Sequence, residues 1–152
     1  MSWDENKYDE MQERLHLGYP EMFKDSYGGV CTGAGWWPII EILCKNIQAH
    51  IDYTNERREA LLKENKWNHK IPDEVRQVRI AQIKEKFGGL RFYYEGGDEY
   101  IAGLVRMAES WAAMTCEDCG NPGTHRSGGW MRTLCDRHEE DRQAQMKERF
   151  GE

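Results

Sequence analysis

Long hydrophobic runs are missing from this sequence. The longest, Trp36 to Ile40, is interrupted by Pro38, whereas a membrane-spanning helix needs about 20 consecutive apolar residues. The first residues, M-S-W-D-E-N-K-Y-D-E-M, are acidic and polar, unlike the basic and then apolar start of a secretion signal. We therefore expect neither membrane insertion nor secretion, and we expect a cytoplasmic protein.

Signatures of common catalytic and nucleotide-binding sites are also missing. The sequence has no G-x-S-x-G motif, which presents the nucleophilic serine of many hydrolases. Its glycine-rich stretch Y-G-G-V-C-T-G-A-G lacks the Gly-Lys-Ser/Thr end of a P-loop and does not meet the G-x-G-x-x-G spacing. These two absences argue against a serine hydrolase and against a P-loop enzyme.

Two short pairs of metal-binding residue types stand near the C-terminal end. Cys116 and Cys119 lie in C-E-D-C-G, Cys135 and His138 lie in L-C-D-R-H, and 15 residues separate the pairs. Each pair places two ligands on one side of a tight turn, and two pairs complete the tetrahedron that Zn²⁺ prefers. The pattern predicts a structural zinc site; a redox C-x-x-C, a reducible disulfide and coincidence are the alternatives.

The residues around these pairs predict a small zinc finger. Turn signals at N-P-G and S-G-G flank short runs that can pair as a hairpin. Residues 136–150 are rich in helix formers and begin with acidic residues. A knuckle, a hairpin and then a helix that carries the second pair resemble a treble-clef finger. The remaining cysteines, Cys31 and Cys44, are predicted to be free thiols because no secretion signal is present.

Charge is unevenly distributed along the chain. The net charge is −6, from 21 basic and 27 acidic residues, but residues 54–91 hold ten basic and six acidic residues. The finger is itself acidic, and three zinc-bound thiolates add more negative charge than one Zn²⁺ removes. We therefore do not expect the finger to act as a simple phosphate clamp.

Hydrophobic periodicity predicts an α+β core domain over residues 1–114, with about three helices and a small sheet. Helices are expected at 4–16, from Pro38 through Leu62, and from Asp98 to about Met114; residues 90–94 are expected to form a strand and residues 63–73 a loop. Residues 75–87 fit either a helix or a strand. The zinc finger, residues 115–152, is expected to follow without a flexible linker.

The glycine-rich loop and the tryptophans that follow it are candidate binding residues. Gly33, Gly35, Trp36 and Trp37 precede the long predicted helix, and unpaired N–H groups at a helix N-terminus attract anions. The alternative is a structural turn that lets bulky tryptophans pack.

The basic middle of the chain offers a second candidate surface. Arg91 and Tyr93 are expected on the strand face opposite to Leu90, Phe92 and Tyr94. Cations interleaved with aromatic rings suit nucleotide or nucleic-acid binding, with Trp36 as a further contact. A solvated surface gives a similar pattern, because acidic residues are interspersed.

His125 raises a third hypothesis, a metal-dependent nuclease, because treble-clef hairpins also build such enzymes. The helix position for its second catalytic residue is held by His138, which the zinc site requires. We therefore assign no catalytic residue and lean against an enzyme.

Three sequence blocks resemble small, uncharacterised proteins encoded by bacteriophages and prophages. The blocks are G-x-G-W-W-P, Q-I-K-E-K-F-G-G-L-R-F-Y-Y-E-G-G-D and C-E-D-C-G-N-P-G…G-W-M-R-T-L-C-D-R-H, within residues 28–140. The resemblance implies a setting in the cytoplasm of an infected or lysogenic bacterium. It favours a non-enzymatic accessory protein that binds a host protein and inhibits a defence or regulatory system. Nucleotide or nucleic-acid binding and homo-oligomer formation stay open.

Overall fold

Helices and small sheets alternate along this chain, as the computed structural model shows for residues 4–64 and 70–151. The described residues form five α-helices, one three-stranded sheet and one two-stranded sheet, which confirms the predicted α+β class. In chain order the elements are α1 (Glu5–Gly18), α2 (Pro20–Phe23), β1 (Val30–Cys31), a 3₁₀ turn (Ala34–Trp36), α3 (Trp37–Glu64), β2 (Arg79–Lys86), β3 (Gly89–Glu95), α4 (Glu99–Ala112), β4 (Thr124–Arg126), β5 (Arg132–Leu134) and α5 (Asp136–Phe150). None of the described helices combines the length and apolar character needed to cross a bilayer.

The first two helices begin at residues suited to a helix N-terminus. Asp4 caps α1, and its carboxylate accepts the backbone N–H of Lys7 at 3.2 Å. The sequence predicts this helix, although it ends two residues later than expected. The single turn α2 starts with Pro20, which is pre-organised for a first helical position. Four residues are too few to show helical periodicity, so α2 is absent from the sequence prediction.

The longest helix, α3, supplies much of the core. Its predicted apolar stripe is buried, as the sequence indicates: Ile39, Ile40, Leu43, Cys44, Ile47 and Ile51. The helix continues to Glu64, into the first residues of the predicted 63–73 loop. Trp67, which belongs to that loop, lies outside the described residues.

The segment that fits either a helix or a strand forms strand β2. It pairs antiparallel with β3 through a two-residue turn, Phe87 and Gly88, closed by the pair Lys86 and Gly89. Both turn residues have positive φ angles, 54° and 81°, as a type I′ hairpin requires. Strand β1 adds a short parallel edge, with Val30 beside Ile83.

The three-stranded sheet has one buried and one open face. Val30, Ile83 and Phe92 form a row across β1, β2 and β3, and all three are buried in the core against the helices. The next row is Cys31, Lys84 and Arg91, which lies on the opposite face because side chains alternate along a strand. Leu90 is also buried, so the predicted inward set of β3 is confirmed, with Tyr94 partly buried at its end.

Helix α4 packs on α3 and β3 through a narrower stripe than the sequence predicts. Ile101, Val105, Ala108 and Ala112 are buried, as expected. Trp111, expected on the same stripe, is 48% exposed. Its position on the flank of α4 next to α3 accounts for the difference, since it lines an open groove there with Ile42 of α3.

The start of α4 is held by one carboxylate. Asp98 accepts the backbone N–H of Ile101 at 3.0 Å and contacts Nε2 of His50 at 2.8 Å. Partial burial raises the pKa of Asp98, but the hydrogen bonds from His50 and Ile101 outweigh it and leave the pKa below its ordinary value of 3.8. Asp98 therefore stabilises the fold above that value, and the contribution is lost as pH falls through the lower folded pKa.

Replacing Asp98 by Ala should lower the free energy of unfolding by about 1 kcal/mol at neutral pH, because α4 loses its N-cap. Urea unfolding of wild type and variant at several pH values measures the difference, which should shrink as pH falls below about 4. Asp73→Asn is the control, because Asp73 is exposed and outside any helix or strand. A difference that stays constant on acidification would contradict a role for the ionised carboxylate.

Candidate metal centre

The four predicted metal ligands lie together. The Sγ atoms of Cys116, Cys119 and Cys135 and a ring nitrogen of His138 all lie within 4.8 Å of one another. Sγ of Cys119 is 3.8 Å from Sγ of Cys135, and Nδ1 of His138 is 3.2 Å from Sγ of Cys135 and 3.6 Å from Sγ of Cys116. Three thiols and one imidazole around a common centre can bind a metal ion.

Short structural elements after α4 bring the two pairs together. Cys116 and Cys119 lie on a tight knuckle, which closes when the N–H of Gly120 donates to the carbonyl of Cys116 at 2.9 Å. Gly120 has a φ of +82°, which glycine adopts without strain. The hairpin β4–β5 then returns the chain, and α5 begins with Cys135 at its N-cap and His138 in its first turn. This is the predicted order of knuckle, hairpin and helix.

The cysteines of the cluster are free thiols rather than a disulfide. The 3.8 Å between the sulfurs of Cys119 and Cys135 is nearly twice the ~2.05 Å of an S–S bond. The backbone N–H of His138, with further hydrogen bonds from neighbouring side chains, lowers the pKa of Cys135 to about 7. A thiolate forms readily at this helix N-terminus, and the thiolate is the form that binds metals.

Glu117, between the first two cysteines, ties the knuckle to the rest of the molecule. Its carboxylate accepts the N–H of Gly33 at 2.8 Å, and its backbone carbonyl accepts the N–H of Gly35 at 2.7 Å. Its own N–H donates to the carbonyl of Thr133 at 3.0 Å. The side chain is buried, and burial raises the pKa of Glu117 although the Gly33 N–H and Arg132 oppose the rise.

Arg132 offsets part of the negative charge around the cluster. Its guanidinium lies 2.7 Å from a carboxylate oxygen of Asp118 and 3.5 Å from one of Glu117. Both acids belong to the knuckle, so the cation of β5 holds the knuckle against the hairpin. Charge pairs at this degree of burial are stronger than exposed ones.

The glycine loop is adjacent to this centre, but its N–H groups are already bound. The donors of Gly33 and Gly35 are used by Glu117, as described above. Trp36 is fully buried, and its indole N–H donates to the carbonyl of Thr115 at 2.8 Å. Trp37 is partly buried and donates to the carbonyl of Thr32 at 3.3 Å. The glycine loop thus binds the carboxylate of Glu117 and allows Trp36 to be buried in the core.

The other candidate residues lie on strands and are not among the four ligands. Arg91 is on the open face of the three-stranded sheet, and Tyr93, which is 42% exposed, follows on the same face. His125 is exposed on β4, with its ring beside Gly88 of the β2–β3 turn. It does not belong to the metal-binding group found among residues 4–64 and 70–151.

Sequence reasoning missed the residues that support the ligands. Glu117, Arg132 and Thr133 form the contacts between the knuckle, the hairpin and the core, and Thr133 also donates to the carbonyl of Gly88 at 2.7 Å. No spacing rule marks them, because their partners are distant in sequence. Hydrogen bonds from Gly33 to Glu117 and from Thr133 to Gly88 join the segment after residue 115 to the segment before it. The division into domains 1–114 and 115–152 stays a prediction.

Replacing Gly35 by Ala should destabilise the protein strongly and weaken metal binding. A Cβ at this position would lie 2.1 Å from the carbonyl oxygen of Cys116 and 2.6 Å from the backbone nitrogen of Gly120, so the knuckle would have to move. Urea unfolding and metal content measure both effects, and we expect a loss of about 3 kcal/mol.

The matched control is Gly103→Ala, inside α4, where a Cβ would meet nothing within 4 Å. This change should stabilise the protein by about 0.5–1 kcal/mol, because alanine favours a helix more than glycine does. If Gly35→Ala unfolds like the wild type and keeps its metal, the loop does not hold the knuckle.

Comparisons with protein-family models, with curated proteins and with solved structures give no match. They therefore assign no family, and the resemblance to phage-encoded proteins stays a prediction.

Proposed function

We propose that the Cys₃His cluster binds one Zn²⁺ ion with a structural role. Tetrahedral Zn²⁺ with Zn–S near 2.3 Å and Zn–N near 2.0 Å places two sulfurs about 3.8 Å apart, and a sulfur and a nitrogen about 3.5 Å apart. The corresponding separations here are 3.8 Å between the sulfurs of Cys119 and Cys135, and 3.6 Å and 3.2 Å from Nδ1 of His138 to the sulfurs of Cys116 and Cys135. Thiolate-rich tetrahedral sites also favour zinc over the harder divalent ions.

A fourth protein ligand leaves zinc no open position for a water or a substrate. Catalytic zinc sites keep such a position, and His125 does not belong to the group of ligands. A structural ion is therefore a better fit than a nuclease centre. An anion site at the glycine loop is also disfavoured, because the N–H groups of Gly33 and Gly35 bind Glu117.

We further propose that the protein is a non-enzymatic accessory protein of a bacteriophage or prophage. It acts in the cytoplasm of the bacterial host by binding a host protein and inhibiting a defence or regulatory system. The resemblance of three sequence blocks to phage-encoded proteins supports the setting. A metal with four protein ligands has no open position for a substrate, which supports a binding protein over an enzyme that uses the metal.

An exposed apolar groove between α3 and α4 supports a protein partner. Ile42 is 49% exposed, Met107 68% and Trp111 48%, and together with Leu104 they line a groove of about 240 Å³ without any charged residue. Methionine and aromatic residues are enriched at protein interfaces, whereas charged residues are depleted from interface centres. This groove is the single observation that favours a protein partner over a small ligand.

Metal analysis of the purified protein should find one zinc per chain. Cys116→Ala, Cys119→Ala, Cys135→Ala and His138→Ala should each lose the metal and lower the melting temperature, because zinc binding contributes folding free energy. Cys31→Ala is the matched control, since Cys31 is an exposed cysteine outside the cluster. The absence of zinc, or ligand variants that melt like the control, would show the assignment to be wrong.

The groove can be tested by affinity capture from bacterial lysate, read by mass spectrometry. A host protein that binds the wild type should be lost from Met107→Glu and Trp111→Glu, because a charge in the groove must be desolvated on binding. Tyr27→Glu, a change at a residue that is 77% exposed and outside the groove, should retain it. Capture that is equal for all four proteins would exclude this groove as the interface.

A further inference from the structure

The open face of the three-stranded sheet carries an unusual concentration of positive charge. Lys84 of β2 pairs directly with Arg91 of β3, and Lys86 follows two residues along the same face. Like charges opposite each other in a sheet destabilise it. Within the described parts of the chain, no carboxylate forms a salt bridge with any of these three cations. An acidic protein thus keeps a basic face that lowers its own stability.

The β2–β3 turn beside this face exposes the ring of Phe87, although this residue has a strained backbone conformation. Phe87 has a φ of +54° and is the one described residue other than glycine with a positive φ. Asparagine suits this position of a type I′ turn far better than phenylalanine does. The ring is 66% exposed, so packing does not explain the choice, and Nζ of Lys86 lies 5.6 Å from its centre.

A second exposed aromatic ring lines the same groove as Phe87. Trp130, at the tip of the β4–β5 hairpin, is 76% exposed. It lines a groove of about 410 Å³ together with Lys84, Glu85, Lys86, Phe87, Gly129 and Met131. The one carboxylate of this lining, Glu85, accepts the backbone N–H of Gly88 at 3.2 Å. The guanidinium of Arg142 on α5 donates to the carbonyls of Trp130 and Gly128, which fixes the hairpin tip.

We propose that this face binds single-stranded nucleic acid. Lys84, Lys86 and Arg91 contact phosphates, while bases stack on Phe87, Trp130 and Tyr93. Lys84 and Lys86 lie about 6.8 Å apart along the strand, a spacing close to that of successive phosphates in an extended nucleic-acid chain. Cations interleaved with exposed aromatic rings are the usual composition of such surfaces.

Two features favour a nucleic acid over an acidic peptide. The face offers three exposed aromatic rings, and each is a stacking surface for a base, whereas a peptide of acidic residues has no group that stacks on them. The second feature is the groove that Phe87 and Trp130 both line, which has a volume of about 410 Å³. This inference goes beyond the proposed function, and the proposed nucleic-acid surface shares no residue with the α3–α4 groove. A negative result for one surface therefore does not contradict the other.

The test measures the binding of labelled single-stranded oligonucleotides of about twelve nucleotides. Fluorescence anisotropy reports binding as the zinc-loaded protein is added. Three phosphate contacts predict a slope near −2 in log K against log salt, so a rise from about 50 to about 200 mM salt should weaken binding about twentyfold. A duplex of the same sequence should bind more weakly, because its bases are not free to stack. No measurable single-strand binding, or equal binding of the duplex, would overturn the proposal.

Phe87→Asn separates binding from folding. It should raise the melting temperature by about 2 °C, because it relieves the strained turn, and should weaken single-strand binding at least about tenfold, because it removes a stacking ring. The control is Phe150→Asn at the end of α5, since Phe150 is also exposed and also lies beside a cation, Arg149. Undiminished binding by the stabilised Phe87→Asn protein would refute the role of the ring.

Charge variants test the phosphate contacts independently. Lys84→Gln and Arg91→Gln should each reduce the magnitude of the salt slope by about 0.7 and should not destabilise the sheet, because they end the repulsion between the two cations. Lys45→Gln, a change of an exposed lysine on α3, should alter neither slope nor affinity. Equal effects of all three changes would indicate only general charge attraction and would overturn the assigned site.

Discussion

The contacts of Glu117 join the metal cluster to the rest of the protein. This residue lies inside the knuckle, yet it accepts N–H groups from Gly33 and Gly35 and donates to Thr133. The loop before α3, the knuckle and the hairpin therefore meet at one buried side chain and its peptide groups. Each of these backbone groups would be an unsatisfied polar group if the others moved, so the three segments hold each other in place.

The ligand cluster and the core depend on each other. The knuckle that carries Cys116 and Cys119 needs the space that Gly33 and Gly35 leave for the backbone of residues 116–120. Trp36 fills the core beneath this contact and uses its indole N–H on Thr115. A large buried aromatic with a satisfied N–H adds substantial stability at this junction. The C-terminal segment that carries the cluster thereby gains a fixed orientation that its own short elements would not supply.

The fixed orientation of this segment also positions the groove that Phe87 and Trp130 line. Thr133 of β5 donates to the carbonyl of Gly88, which places the hairpin of the finger beside the β2–β3 turn. Arg142 of α5 holds the tip of the same hairpin. Trp130 and Phe87 consequently line a shared groove although they are 43 positions apart in the sequence. The segment that carries the ligand cluster in this way positions a groove whose lining includes none of the four ligands.

Local patterns predict the parts of the fold that depend on neighbouring residues. The apolar stripe of α3, the caps Asp4 and Asp98, strand β3 and the two ligand pairs follow from periodicity, capping and turn geometry, which act over a few residues. Strand β1 and helix α2 escape prediction because two and four residues carry no periodic signal. The segment 79–86 fits a helix or a strand until pairing with β1 and β3 decides it.

The sequence by itself determined which residues can bind metal, since two ligand pairs at this spacing favour one coordination geometry. Only the tertiary structure decided what the glycine loop does: its N–H groups, free in principle for an external anion, are bound by Glu117 from 84 positions away. Only the structure showed that Lys84 stands opposite Arg91 and that Phe87 is strained. The contact of Glu117 with the glycine loop arises from packing between distant segments, which local sequence patterns do not encode. The register of the β2–β3 hairpin became definite only when residues 79–86 paired as a strand rather than forming a helix.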